Sequence, residues 1–144
     1  MYLNKISQIA KLRVFQMPQI FDFLILSVGA IAGVYVRYRI TSYPEIYGIM
    51  GSNVIIVNII GSFILGVFSV ISSYYNLDTK YSLLVAIGFC GSLTTMSSLA
   101  LESTVMFESR QLLNVFINVM ANVGFSILSL WGGRIIITML LVMK

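Results

Sequence analysis

The chain has almost none of the side chains on which enzymes and metal centres depend. Its 144 residues include no histidine, one cysteine (Cys90) and only five acidic residues. The lack of histidine removes the commonest general base and the commonest metal ligand together. A single cysteine can form neither an internal disulfide nor a cysteine metal cluster. The sequence therefore predicts a protein that is not an enzyme.

Charge is also scarce, while apolar residues are abundant. Charged residues make up 10% of the chain and hydrophobic residues 58%, whereas soluble domains carry ~25% charged residues. This composition predicts a membrane protein. The formal net charge is +4, and most of the basic residues lie near the ends of apolar stretches. That placement indicates contact with lipid headgroups rather than with nucleic acid.

Four stretches are long and apolar enough to span a bilayer, which takes ~20 residues. They cover residues 20–40, 51–75, 81–107 and 112–141. The last exceeds one bilayer, so we expect its span to end near residues 132–134, with an apolar tail beyond. The predicted architecture is an all-α membrane protein with a four-helix transmembrane domain over residues 20–144. Residues 1–19 precede it as an arm, either amphipathic on the membrane surface or flexible.

The third stretch contains a polar interruption. Residues 88–98 include two glycines and five hydroxyl side chains, and apolar residues enclose them on both sides. An unpaired backbone group within a bilayer costs several kcal/mol, so a broken helix persists only inside protein or beside a watery path. Helix breaks of this kind are where membrane proteins hold ions. The pattern predicts a broken third helix and an ion pathway beside it.

Asparagines lie within two other spans. Asn58 lies in the second stretch, and Asn114, Asn118 and Asn122 recur every four residues in the fourth. A single asparagine in a membrane helix is commonly a hydrogen-bonding contact between helices, which is the preferred interpretation of Asn58 from its position alone. For the stripe of three amides, a cavity lining and a helix contact are equally good interpretations.

The first span carries a small-residue motif. Gly29 and Gly33 are four residues apart, a spacing typical of helices that pack closely in lipid. Arg37 follows on the same face, and its position near the end of the span indicates a side chain that reaches the interface.

The polar groups inside the spans favour an anion over a cation. Asparagine amides and serine or threonine hydroxyls donate hydrogen bonds without a fixed charge. Cation pathways more commonly use rings of acidic side chains, and Glu102 is the only acid well inside a predicted helix. We therefore expect a small anion to be the permeating species.

Two other functions compete with a channel. A proton-coupled exporter of small drugs also uses four short spans in a dual-topology dimer, but it needs a membrane-buried acid in the first span, where Asp22 lies only at the edge. A noncatalytic assembly subunit would use its polar residues solely to hold helices together. That alternative does not explain why glycines and hydroxyls concentrate at one interruption.

An even number of spans places both termini on one side of the membrane. Five basic residues then share that side and three lie opposite, a weak excess for setting orientation. Either the chain inserts with its N-terminus inside, or it inserts both ways and pairs with an inverted copy.

Three motifs together match one family. Residues 29–38 (GAIAGVYVRY) are similar to G-A-x-x-R-Y, residues 58–66 (NIIGSFILG) to N-x-x-G-S-F-x-x-G, and residues 88–95 (GFCGSLTT) to G-F-C-G-G-x-T-T. In these motifs the chain resembles the Fluc (CrcB-type) fluoride channels. The resemblance implies passive fluoride export across the cell membrane by a multi-pass protein. It also implies an antiparallel dual-topology dimer with two pores, and we favour a homodimer.

The resemblance also implies roles for particular residues. A structural sodium ion would bind the main-chain carbonyls of Gly91 and Thr94, while Arg37 and Glu102 would sit at a vestibule. Asn58 becomes a pore donor rather than a helix contact. The residues implied for the fluoride path are Asn58, Thr95, Met96, Ser97, Ser98, Leu99, Asn118 and Asn122.

The chain departs from the family pattern directly after the threonine pair. The family has F-S-T-F there, and this chain has Met96-Ser97-Ser98-Leu99. Neither Met96 nor Leu99 offers an aromatic edge to an anion. Two explanations stay open. The chain can conduct through an amide-rich lining, or it can be half of a heterodimer in which a homologous partner supplies the aromatic residues.

Overall fold

The computed structural model describes residues 20–44 and 52–143. Helix α1 covers Ile20–Thr41, α2 covers Ser52–Tyr74, α3 covers residues 79–93, α4 covers Met96–Glu108 and α5 covers Leu112–Val142. Among these residues four segments are long and apolar enough to cross a membrane, with α3 and α4 together forming the third. The predicted four spans are confirmed. The arm predicted at residues 1–19 lies outside the described residues.

Helix α1 packs against α3 through glycine. A Cβ built on Gly29 would collide with the Leu84 carbonyl oxygen, and one on Gly33 would collide with the Phe89 carbonyl oxygen. On the facing helix, a Cβ on Gly88 would lie 3.1 Å from the Gly29 Cα. Backbones approach this closely only where side chains are missing, as is common between helices in lipid. The interpretation of the glycines of α1 as close-packing residues is confirmed.

Helix α5 runs without interruption for 31 residues, so the helix continues past residues 132–134, where the membrane span was expected to end. The glycine there serves packing rather than termination. Gly133 is buried against α2, where a Cβ would lie 2.6 Å from the Phe63 carbonyl oxygen. Arg134 donates from Nη1 to the Ser69 hydroxyl on α2 at 3.0 Å. The apolar residues that follow continue the helix, because no proline or turn signal interrupts them.

Helix α3 is wound differently from its neighbours. After a first turn that begins at the Asp78 cap, residues Ser82–Cys90 form a π-helix, and Gly91–Leu93 form a last α-helical turn. The Gly91 amide donates to the Ala86 carbonyl, five residues earlier. π-Helical turns are rare and are frequently found at functional sites. This one ends three residues before the chain leaves the helix, and it positions the break described next.

Candidate functional site

The third span is interrupted at two residues. Thr94 (φ −73°, ψ 154°) and Thr95 (φ −150°, ψ 112°) are extended, and α4 begins at Met96. The interruption therefore falls inside the polar stretch 88–98 but is much shorter, because both of its glycines are helical. Thr95 caps α4, its hydroxyl accepting a hydrogen bond from the Ser98 amide at 3.3 Å. A threonine at this position satisfies one of the free amides at a helix start.

Side chains from two neighbouring helices satisfy the backbone of the break. The Thr95 amide donates to Asn58 Oδ1 at 2.8 Å, and Asn58 Nδ2 donates to the Thr95 carbonyl at 3.4 Å. Arg37 Nη1 of α1 donates to the Thr94 carbonyl at 3.4 Å. These contacts are what a broken helix needs in a bilayer, where water cannot supply the missing hydrogen bonds. Arg37 and Asn58, which belong to two separate sequence motifs, thus meet at the break.

A row of buried amides continues from the break. Asn58 Nδ2 donates to Asn122 Oδ1 at 2.9 Å, and Asn122 Nδ2 donates to Asn118 Oδ1 at 3.1 Å. Asn118 Nδ2 then donates to the Ser103 hydroxyl of α4 at 3.3 Å. The three asparagines are no more than 9% exposed. Ser103 was missed by the sequence analysis, since nothing in its spacing distinguishes it from other serines.

Hydroxyls cluster on the other side of the break. The Thr95 hydroxyl lies 3.1 Å from the Ser97 hydroxyl and 3.1 Å from the Ser98 hydroxyl. Thr95 is 6% exposed. Each hydroxyl can both donate and accept, so the cluster can turn its protons toward an anion without a change in backbone.

A cavity of about 380 Å³ opens beside the break between α2, α3, α4 and α5. Seven of the residues singled out from the sequence line it: Asn58, Gly91, Thr94, Thr95, Met96, Leu99 and Asn122. Ser126 lines it too and was missed. It lies four residues after Asn122, so continuing the stripe of asparagines by one more turn would have found it.

The cavity wall at the two departures from the family pattern is apolar. Leu99 is buried, at 2% exposure, whereas Met96 is 70% exposed in the single chain. The Met96 side chain therefore contributes to an open edge of the cavity. The polar side chains that line the same cavity are amides and hydroxyls, among them Asn58, Thr95 and Asn122.

The predicted vestibule pair lies in a second cavity. Arg37, Ser98 and Glu102 all line this space of about 420 Å³, at the ends of α1 and α2 that adjoin α4. Ser98 thus faces this second cavity while bonded to Thr95 of the first. Ser97 and Asn118 line neither cavity and are linked to the cavity residues by hydrogen bonds.

The sequence analysis placed the main-chain ligands of a sodium ion at the end of α3. Among the described residues no cluster of three or more histidine, cysteine or acidic side chains could hold a metal. The last carbonyls of a helix lack intrahelical partners and carry the negative end of its dipole. Helix α3 ends at Leu93, and Gly91 and Thr94 both line the cavity. The Thr94 carbonyl also accepts a hydrogen bond from Arg37 Nη1 at 3.4 Å.

Comparisons with known proteins match the part of the chain that contains the helix break and both cavities. A family model described as CrcB-like protein, Camphor Resistance (CrcB), matches residues 24–134. The fluoride-specific ion channel FluC of Nitrosopumilus maritimus is 48% identical over 113 residues, which are 78% of this chain and 90% of the relative.

Two more distant relatives are also named as fluoride-specific ion channels. The fluoride-specific ion channel FluC of Methanocaldococcus jannaschii is 32% identical over 115 residues, covering 80% of this chain and 93% of the relative. The fluoride-specific ion channel FluC 1 of Methanosarcina acetivorans is 31% identical over 117 residues, covering 80% and 89%. The family match includes the break and both cavities.

Proposed function

Because the chain belongs to the CrcB family of ion channels and is not an enzyme, we propose that it conducts fluoride passively out of the cell across the cell membrane. A negative cell interior would drive the anion outward, with ~2.3 kcal/mol per elementary charge for each 100 mV. Such a channel keeps fluoride from accumulating inside. No energy source other than the membrane potential and the fluoride gradient is needed.

The observation that carries this proposal is a cavity at a helix break whose polar lining is uncharged. Amide and hydroxyl groups from Asn58, Thr95 and Asn122 meet there. Fluoride holds its hydration shell tightly, so it needs several hydrogen-bond donors in exchange for water. Uncharged donors allow that exchange without the trapping that a fixed cation would cause.

The proposed path begins at the vestibule with Arg37 and Glu102 and continues past the hydroxyls of Thr95, Ser97 and Ser98. The amides of Asn58, Asn118 and Asn122 then donate to the anion. Met96 and Leu99 supply apolar walls where relatives of the Fluc type would present aromatic rings. Low polarity at those walls strengthens the nearby hydrogen bonds.

We propose that the working unit is an antiparallel dimer of two copies with opposite orientation. A sodium ion at its centre would bind the carbonyls of Gly91 and Thr94 of each copy, as the exposed end of α3 favours. The sodium would neutralise the negative ends of two helices that face each other. Its role is structural, and no step of conduction passes through it.

Removal of sodium should weaken the dimer. Purification in N-methyl-D-glucamine chloride in place of sodium chloride should lower the dimer fraction in size-exclusion chromatography and the thermal unfolding midpoint. An ion present at a hundred times its dissociation constant contributes ~2.7 kcal/mol. Thr94→Ser is the matched control and should keep the sodium response, because the ligand is main chain. Equal stability in both salts would exclude the structural sodium.

The deciding test of the function uses this chain alone. Liposomes that contain the purified protein and are loaded with potassium fluoride should release fluoride to an electrode when valinomycin lets potassium follow. Release from the chain alone supports a homodimer that conducts without the aromatic rings. Release only when a homologue is added would establish the heterodimer, and a relative whose name carries the number 1 is consistent with paired homologues. Proton-coupled uptake of a cation without fluoride release would favour the exporter.

A further inference from the structure

Helix α1 carries an apolar groove on the side away from the glycines that contact α3. A space of about 440 Å³ is lined there by Ala30, Ile31, Val34, Tyr35 and Tyr38. The four larger side chains are exposed in the single chain, Ile31 at 70% and Tyr38 at 63%. None of the five lines the cavity at the break, so the groove is a separate feature of the surface.

The groove is about as long as one leaflet of a bilayer. It begins at Ala30, near the middle of α1, and reaches Tyr38, near its end. From residue 30 to residue 38 a helix rises ~12 Å, and half of a hydrocarbon core of ~30 Å is ~15 Å. A transmembrane helix of a partner would contact both leaflets, whereas the acyl chain of a lipid extends over one. The length of the groove therefore favours an acyl chain over a helix.

A cation lies at the end of the groove that adjoins the membrane interface. Arg39 directly follows Tyr38 and is exposed, and its Nη1 donates to the Tyr35 hydroxyl at 3.4 Å. Because Tyr35 accepts this bond, its own O–H can donate to another acceptor. A guanidinium has five N–H groups in a planar fork that can bind two phosphate oxygens at once. The apolar groove thus ends at donors that suit a phosphate group.

The other hydroxyls at this end of α1 are used within the helix. The Thr41 hydroxyl donates to the Arg37 carbonyl at 2.9 Å, and the Ser42 hydroxyl donates to the Tyr38 carbonyl at 2.6 Å. Recognition of a headgroup at the groove therefore depends on Arg39 and Tyr35.

We propose that this groove binds an anionic phospholipid, with one acyl chain along residues 30–38 and the phosphate at Arg39 and Tyr35. A lipid such as phosphatidylglycerol complements both the apolar lining and the cation at its end. A zwitterionic lipid brings its own cation close to Arg39, which weakens the attraction. The inference does not depend on the proposed passage of fluoride.

Native mass spectrometry of the full chain in detergent, titrated with phosphatidylglycerol, gives the first test. Arg39→Gln should weaken phosphatidylglycerol binding by at least about fivefold, the usual contribution of one basic residue beside anionic lipid. Arg110→Gln is the matched control, because Arg110 is an exposed arginine just beyond α4. It lies on the same side of the membrane as Arg39, since α1 and α3 run in the same direction. Its binding should stay within about twofold of the original.

Two further variants test the groove and the hydroxyl separately. Ala30→Phe fills the groove without a change in charge and should weaken binding about as much as Arg39→Gln. Ala32→Phe is its control, because Ala32 is exposed on the same helix and does not line the groove. Tyr35→Phe keeps the ring and removes only the hydroxyl, so binding should weaken about threefold with the packing of α1 unchanged.

Each remaining outcome would overturn the inference. Equal binding by the original chain and Arg39→Gln, or an equal loss in Arg110→Gln, would exclude a site at Arg39. Phosphatidylcholine bound as tightly as phosphatidylglycerol would exclude a preference for an anionic headgroup. A lower dimer fraction in Ala30→Phe with unchanged lipid binding would show that a second copy covers the groove instead. Fluoride release is measured separately, so a chain that conducts nothing would still report its lipid binding.

Discussion

Replacing Asn58 with aspartate should abolish fluoride release from liposomes. The carboxylate still accepts the Thr95 amide, whose bond to Asn58 Oδ1 is 2.8 Å, so the break keeps that contact. Two donors are lost, however, and a negative charge enters the cavity that the anion must cross. At an effective dielectric constant of ~20, like charges about 4 Å apart repel by ~4 kcal/mol. That corresponds to a rate lower by about 10³.

The matched control is Asn114→Asp, which adds the same charge to the same kind of residue at an exposed position of α5. Its release rate should stay within a few-fold of the original. Both variants should elute as dimers, which separates loss of conduction from loss of assembly. Release from Asn58→Asp at the original rate would remove Asn58 from the ion path and leave it as a contact between helices.

Replacing Gly33 with alanine should have a large effect on folding. The new methyl group would collide with the Phe89 carbonyl oxygen. Because the obstacle is backbone, it cannot turn aside as a side chain would, and α1 must move away from α3. Overpacking of this kind costs ~1–3 kcal/mol, and the upper end should lower the thermal unfolding midpoint by about 10 °C.

The loss should extend to conduction, since Arg37 follows Gly33 by one turn and donates to the Thr94 carbonyl at the break. Gly124→Ala is the control, because a methyl group built on Gly124 meets nothing within 4 Å. It should unfold within a degree or two of the original chain. Equal midpoints for Gly33→Ala and Gly124→Ala would contradict close packing of α1 on α3.

Sequence reasoning succeeded where the bilayer leaves few options. Long apolar stretches must become helices, since every backbone group in lipid needs a partner. Glycines four residues apart predicted close helix contacts for the same kind of reason. Reasoning of this kind did not predict the packing of Gly133, which lies near the expected end of the fourth span and is buried against α2.

The hydrogen-bond partners of a side chain on other helices could not be predicted from the sequence. Asn58 alone was better explained as a helix contact, and only the family resemblance favoured a pore role. In the structure it bonds both to another helix and to the break. Ser126 had a detectable signal in the spacing of the fourth span, whereas Ser103 had none. Its importance comes from the neighbour it meets, Asn118.

By itself, the sequence determined that the chain lies in a membrane, how many spans it has and where the third span is interrupted. Each of these follows from local composition and from the cost of unpaired backbone groups in lipid. Tertiary structure decided the rest. It narrowed the interruption to Thr94 and Thr95, brought Arg37 and Asn58 to that backbone, and joined three asparagines by hydrogen bonds. The physical reason is that each of these hydrogen bonds needs a donor and an acceptor at one place. Only the packing of the helices brings the two groups together.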